Sequence, residues 1–353
     1  MVSDEEFIRD PSPIWCPFTP KANQDTIGLV ESTSEWLLAR RVCPTWKAAD
    51  WQATAGAWGT AYTMPLATGA YAETLTRYMS LGFALDDEQE QSGRSVHALE
   101  SFIGMTSRLV NILEVPGAVT AEDGPYVCAF SDVARGFSAL APRSALTRLF
   151  NGFRDLMLGW IQESMLQTAS IVPTVNDYFP FRYASGAAGA VASMVELSLM
   201  EEVPHDEMGS PLGRALTASA LMVVLIDNEK LSRKKEQVAG VYDLSLSTVL
   251  HANRYCSRFD APQVATEMRD RILAVFLTLR DRVHDEHSPR MGRYADALSL
   301  LIAGVVAFTP IAARYTVAGA PAQPAPTSER PRHATDECLP VPSVAWWWDA
   351  PAA

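Results

Sequence analysis

Five cysteines in 353 residues stand far apart, at Cys16, Cys43, Cys128, Cys256 and Cys338, and none belongs to a Cys-x-x-Cys pair. Such spacing supplies neither the thiolate pairs of a zinc site nor an even disulfide framework, and it fits a reducing cytoplasm. Positive charge is also short: 29 Lys and Arg face 41 Asp and Glu, a formal net charge of −12. Nucleic-acid binders need a basic face to displace counterions from phosphates, so nucleic acid is excluded as a partner. The first ten residues carry Asp4, Glu5, Glu6 and Asp10 where a signal peptide needs a basic start and an apolar run. No membrane span is expected either. Of the longest uncharged stretches, 215–226 is too short to cross a bilayer, and 297–313 is broken by Gly304 and Pro310. Both read as core helices. The chain has no run of alternating strands joined by Asn-Gly or Asp-Gly turns, no P-loop, no strand-borne G-x-G-x-x-G, no H-E-x-x-H and no G-x-S-x-G elbow.

What is present is apolar material at helical spacing. Hydrophobic residues make up 48% of the chain against 20% charged, enough to offset the entropy of ordering a core. Between Asp25 and Tyr315 the periodicity predicts helices over 25–41, 47–62, 69–91, 95–113, 128–139, 143–169, 174–183, 187–201, 211–238, 243–255, 261–284 and 291–315. Short links at Pro116-Gly117, Gly124-Pro125, Pro142, Pro173, Pro204 and 286–290 favour antiparallel neighbours, so the fold class is an all-α bundle. Residues 316–353 contain seven prolines and no apolar period before Trp346, Trp347 and Trp348. Composition predicts a disordered extension there, with docking of the three tryptophans as the alternative.

Two polar stripes interrupt this pattern. The helix containing TRYMSLGFAL runs into Asp86, Asp87 and Glu90, and Asp86 and Glu90 lie one turn apart on one face, about 6 Å along the axis. Carboxylate oxygens are hard ligands suited to Mg²⁺, which keeps room in its shell for substrate phosphates. Read alone, an acidic helix end is a solvated face. The second stripe is Asn228, Ser232 and Glu236 at successive fourth positions, drifting only about 40° per step. It follows twelve uncharged residues, so its oxygens begin where the helix is still buried or lines a cavity.

Together the stripes resemble those of bacterial class I terpene synthases (terpene cyclases). The aspartate-rich motif D-D-x-x-D/E is matched by Asp86, Asp87 and Glu90. The second motif, N-D-x-x-S-x-x-K-E, is matched by Asn228, Ser232, Lys235 and Glu236, with Glu229 in place of the aspartate. Arg182 stands 46 residues before Asn228, where the family has its diphosphate sensor, and Arg314-Tyr315 matches the closing Arg-Tyr pair. The resemblance covers residues 12–315 and divides the chain into an N-terminal extension (1–15), a class I terpene synthase α domain (16–315) and a Pro/Ala-rich tail (316–353).

The resemblance implies a single α-helical bundle around a central active-site cavity. It implies Mg²⁺, three ions, held by Asp86, Asp87, Glu90, Asn228, Ser232 and Glu236. It also implies diphosphate donors at Arg182, Lys235, Arg314 and Tyr315, a linker and an effector at Ser185 and Gly186, and a cavity aromatic at Phe83. Phe308 stands where the family usually has tryptophan and Val305 where asparagine is common; Phe308, Phe83 and, more weakly, Tyr62 are expected to face the cation by their ring quadrupoles. The implied partner is a prenyl diphosphate, farnesyl diphosphate first and a C20 diphosphate (geranylgeranyl or bicyclic) as the alternative, with room for a homodimer. The implied activity is that of a lyase that ionises the substrate and cyclises the allyl cation. A chain-elongating prenyl synthase would carry a second D-D-x-x-D, and a non-catalytic helical protein would show eroded ligand positions; neither holds here. His284 and His287, beside Asp285 and Glu286, read as a solvated helix end.

Overall fold

Proline and capping side chains start most helices of the bundle. The computed structural model describes residues 12–92, 95–240, 243–316 and 325–350, with side chains other than those at 90–92 and 237–239. Among these, fourteen α-helices run in order: α1 Thr26–Ala39, α2 Trp46–Thr63, α3 Gly69–Ser92, α4 Val96–Glu114, α5 Pro125–Leu140, α6 Arg143–Ala169 and α7 Val175–Ser185. The second half comprises α8 Ala188–Ser198, α9 His205–Gly209, α10 Pro211–Ala239, α11 Leu246–Ala252, α12 Ala261–Glu286, α13 Pro289–Phe308 and α14 Pro342–Ala345. Thr45, Ser95, Thr174 and Ser288 each accept a backbone N–H of the first turn and fix the starts of α2, α4, α7 and α13.

Two apolar cores flank a central cavity. One is built from α1 to α6 around Leu37, Phe130, Phe137 and Phe153. The other joins α7, α8 and α10 to α13 around Tyr178, Ile272, Phe276, Tyr294 and Leu298. Helix α13 is long and apolar enough to cross a membrane, yet 72% of its apolar window is buried inside this fold, as a core helix requires. It ends at Phe308, seven residues before the predicted 315, because Pro310 cannot continue the ladder; a 3₁₀ turn, Ala313–Tyr315, then carries the Arg-Tyr pair. The five-residue α9 was not predicted; it is too short to show a period.

The C-terminal end differs from the sequence reading. Residues 1–11 lie outside the described residues, but Ile14 and Trp15 are buried; the Cys16 N–H donates to the Thr327 carbonyl at 2.8 Å and the Thr327 N–H donates to the Ile14 carbonyl at 2.9 Å. The C-terminal segment is packed where it is described. Leu339, Val341, Val344 and Trp347 are buried in the α10–α13 core, while Trp346 stays 40% exposed beneath the Arg214 guanidinium. Composition missed this because a few apolar side chains at irregular spacing suffice to dock a segment on a core that already exists. A buried ion cluster ties the ends together: Arg269 donates to both Asp227 oxygens (2.8 and 2.6 Å), to the Trp15 carbonyl and to Asp270, which His333 contacts at 2.7 Å.

Candidate active site

The two predicted stripes face each other across the bundle. Asp86 and Asp87 sit near the end of α3, each 42% exposed at its side chain. Arg314 bridges them, Nη2 donating to Asp86 Oδ2 at 2.7 Å and Nη1 to Asp87 Oδ2 at 2.8 Å. Its own side chain is 1% exposed, and its guanidinium carbon lies 4.9 Å from the Phe83 ring centroid. Burial opposes the Arg314 charge, but the Asp86 and Asp87 carboxylates hold it firmly protonated. Lys235 Nζ is 3.8 Å from Asp87 Oδ1. Asp86 looks inward, whereas Asp87 borders an outer groove. Of Glu90 only the helical backbone is described.

Across from α3, α10 presents Asn228, Ser232 and Glu236 to a polar pocket of about 100 Å³ shared with Asp86 and Arg182. Ser232 Oγ donates to Glu236 Oε1 at 2.5 Å. Burial pushes the Glu236 carboxyl up to about 7. Glu229, the departure from the motif, is structural: it accepts Tyr178 Oη at 2.6 Å and the Leu246 N–H at 2.9 Å. Arg182 Nε lies 2.8 Å from the same carboxylate. Burial works against the Arg182 charge, and Glu229 beside it raises its pKa above the ordinary value. Glu229 thus holds the Arg182 guanidinium at the pocket.

Helix α7 stops at Ser185 and α8 begins at Ala188. The left-handed residue at this break is Ala187 (φ 62°), whereas Gly186 has φ −86° and gains nothing from glycine's backbone freedom. Gly186 is required by close packing instead: a Cβ there would fall 2.3 Å from Leu225 Cδ2. Ser185 is buried beside the pocket, where Glu163 is its polar neighbour.

The polar pocket opens on a mainly apolar cavity of about 230 Å³ bounded by α2, α3, α6, α7, α8, α10 and α13. Phe83, Phe308, Val305, Ser185, Gly186 and Tyr315 all line it. Phe308 meets Tyr315 edge to face at 6.2 Å. Tyr62 does not line the cavity; it lies behind Phe308, 6.5 Å from that ring, and stacks on Trp58. The expectation that Tyr62 faces a cation is therefore corrected.

Sequence reasoning missed Glu163 on α6. Its carboxyl lines the polar pocket, and burial pushes it up to about 7. No motif marks it, since one glutamate in IQES looks like any helix surface. The His284 segment carries no site: His284 contacts Asp296 at 3.1 Å on a partly exposed face.

The donor chemistry suits a hard divalent cation, because the pocket is bordered by carboxylate, amide and hydroxyl oxygens from two helices. The halves stand apart: among the described residues no three acidic, histidine or cysteine side chains converge on one point. A substrate bearing its own oxygens would have to complete the shell.

The family model "Terpene synthase family 2, C-terminal metal binding" matches residues 77–297. Spiroviolene synthase of Streptomyces violens is 27% identical over 352 residues, covering 96% of this chain and 97% of that one. Diterpene cyclase DtcycB of a Streptomyces species is 25% identical, covering 95% and 96%. The farnesyl diphosphate-cyclizing 4-epi-cubebol synthase of Streptosporangium roseum is 25% identical, covering 86% and 92%. The crystal structure of SVS_A2, from ancestral sequence reconstruction, superposes with a TM-score of 0.81 at 27% identity, covering 96% of this chain and 99% of that one. The family model spans well over half of the chain and embraces both stripes, and the chain belongs to terpene synthase family 2: it is a bacterial-type class I terpene synthase with a metal-binding site.

Proposed function

We propose that this synthase ionises a prenyl diphosphate in the polar pocket and cyclises the resulting allyl cation in the apolar cavity below. The observation that carries the reading is the junction of the two spaces, with Asp86, Arg182, Asn228 and Tyr315 bordering both. A diphosphate there would be surrounded by acidic groups and repelled unless cations invert the field. We assign those cations to Mg²⁺, three ions, held by Asp86, Asp87 and Glu90 on one side and Asn228, Ser232 and Glu236 on the other. Bound Mg²⁺ supplies the positive charge that stabilises the leaving diphosphate.

The chain's own residues perform the rest. Arg314 is poised to exchange its aspartate partners for diphosphate oxygens, and Arg182, Lys235 and Tyr315 supply further donors. Phe83 and Phe308 offer ring faces to the cation, while apolar walls exclude water that would quench it early. We place the enzyme in the cytoplasm, a reading supported by the five free thiols.

Farnesyl diphosphate is one candidate substrate. The second reading, a C20 diphosphate, is favoured by the near-complete coverage of a relative named as a diterpene cyclase. Purified protein incubated with Mg²⁺ and C10, C15 or C20 diphosphates, followed by diphosphate assay and gas chromatography with mass spectrometry, tests the proposal. Absence of metal-dependent diphosphate release from all three would refute it.

A further inference from the structure

Helix α10 carries two neighbouring rows of side chains. Asn228, Ser232 and Glu236 form the row that borders the polar pocket. Asp227 and Leu231, each one residue earlier, form a second row about 100° away round the helix, with Lys230 beside it. This back row is tied to the N-terminal segment. Lys230 Nζ donates to the Ser12 carbonyl at 2.7 Å. Leu231 packs with Ile14 and with Val306 of α13 in a small buried cluster. Asp227 accepts from Nε and Nη2 of Arg269 on α12, whose Nη1 also donates to the Trp15 carbonyl at 2.6 Å. Sealing the core would need the Ile14 contact alone. Asp227 and Arg269 are each 2% exposed, and an apolar pair of similar volume would bury there at less desolvation cost. What the hydrogen bonds add is direction: apolar contacts tolerate a roll of the helix, and these do not. A roll of about 20° would carry a side-chain oxygen about 6 Å from the helix axis through about 2 Å. Mg²⁺ demands near-ideal octahedral geometry and does not accommodate such a shift.

We infer that Asp227 and Lys230 are positioning residues: they anchor the back of α10 to segment 12–15 and so hold Asn228 and Ser232 at the angle the metal site needs. Glu229, on the opposite flank of α10, accepts from Tyr178 and from the Leu246 N–H, so the helix is held by directional contacts on both sides of its ligand row. The N-terminal segment is thereby a working part of the site, although none of its described residues lines the polar pocket or the cavity. The inference rests on the metal-dependent cyclase reading and adds to it what aims the second stripe.

The test reads metal binding without turnover, from the rise in Tm as Mg²⁺ is titrated into the full chain with inorganic diphosphate; the titration gives an apparent Mg²⁺ affinity. Lys230→Met keeps the aliphatic stem and removes the donor to Ser12, Lys230→Arg restores a donor, and Asp227→Asn weakens the Arg269 pair. Leu37→Ala, a cavity in the other core, is the control for lost stability alone. Lys230→Met and Asp227→Asn are each expected to weaken the apparent Mg²⁺ affinity about tenfold, as loss of the groups that orient metal ligands does. Lys230→Arg is expected to recover most of it, and Leu37→Ala to lower the Tm with the affinity unchanged. If Asp227→Asn fails to fold, the two Lys230 variants carry the comparison. Wild-type affinity in folded Lys230→Met, or equal weakening in Leu37→Ala, would overturn the inference while leaving the metal site standing. No Mg²⁺-dependent rise in Tm for wild type would overturn both.

Discussion

Replacing Arg314 with lysine separates the aspartate clamp seen in the structure from the diphosphate-binding role proposed for the same guanidinium. Arg314 clamps Asp86 and Asp87 with one hydrogen bond each, at 2.7 and 2.8 Å, from a side chain 1% exposed. A charged hydrogen bond contributes about 1.5–3 kcal/mol when both groups are buried. Here the carboxylates are 42% exposed, and solvent screening brings each bond nearer the value of a surface pair, below about 1 kcal/mol. Lysine keeps the charge but cannot span both aspartates, so the stability loss is about 1 kcal/mol. The effect on chemistry is larger if the fork binds the departing diphosphate, where a misplaced donor costs about 10- to 100-fold in kcat. Thermal unfolding without metal gives the first quantity, and diphosphate release at saturating Mg²⁺ and substrate gives the second. A kcat within twofold of wild type, with the stability loss intact, would show Arg314 to be a strut for the aspartates and would refute its role toward the leaving group.

Phe308→Leu keeps much of the volume and removes the quadrupole; a loss of about 1–2 kcal/mol in cation stabilisation should divert products toward early-quenched alcohols and acyclic or monocyclic alkenes, and an unchanged product profile would leave Phe308 as packing. Glu163, raised by burial to about 7, binds its proton more tightly folded than unfolded, so its favourable contribution is full below about pH 4.5 and is lost as pH rises through 7. Glu163→Gln should therefore raise the Tm of metal-free protein at pH 8, by at most about 3 kcal/mol of stability, with the gap closing at pH 5; equal Tm differences at both pH values would contradict this. Arg269→Met strands the buried Asp227 and should destabilise the fold by about 3–5 kcal/mol in urea unfolding, and a loss under 1 kcal/mol would show that the cluster does not hold the chain ends.

The parts of this site that could be read in sequence are those carried by single helices. Asn228, Ser232 and Glu236 on α10 repeat at helical spacing, so their common face follows from periodicity alone. Arg182 and Arg314 were reachable only through the family resemblance. What escaped depends on contacts between distant segments. Glu163 has no patterned neighbour, and the burial that shifts it is supplied by other helices. Tyr62, the weaker candidate for a cavity aromatic, stacks on Trp58 and is absent from the lining that Phe83 and Phe308 share. Trp347 docks because α10–α13 present a core to receive it, a fact absent from the Pro-rich segment itself.

The central claim is that the two polar stripes act as one metal-dependent diphosphate site. It is tested most directly by measuring diphosphate release from C15 and C20 prenyl diphosphates for wild type, Asp86→Ala and Asn228→Ala across a Mg²⁺ titration, with circular dichroism and thermal unfolding confirming the fold. The account predicts release by wild type that vanishes with chelator, and loss of release in both variants at every Mg²⁺ concentration with helicity preserved. Full turnover by either variant at saturating Mg²⁺, or release by wild type that survives chelation, would contradict it.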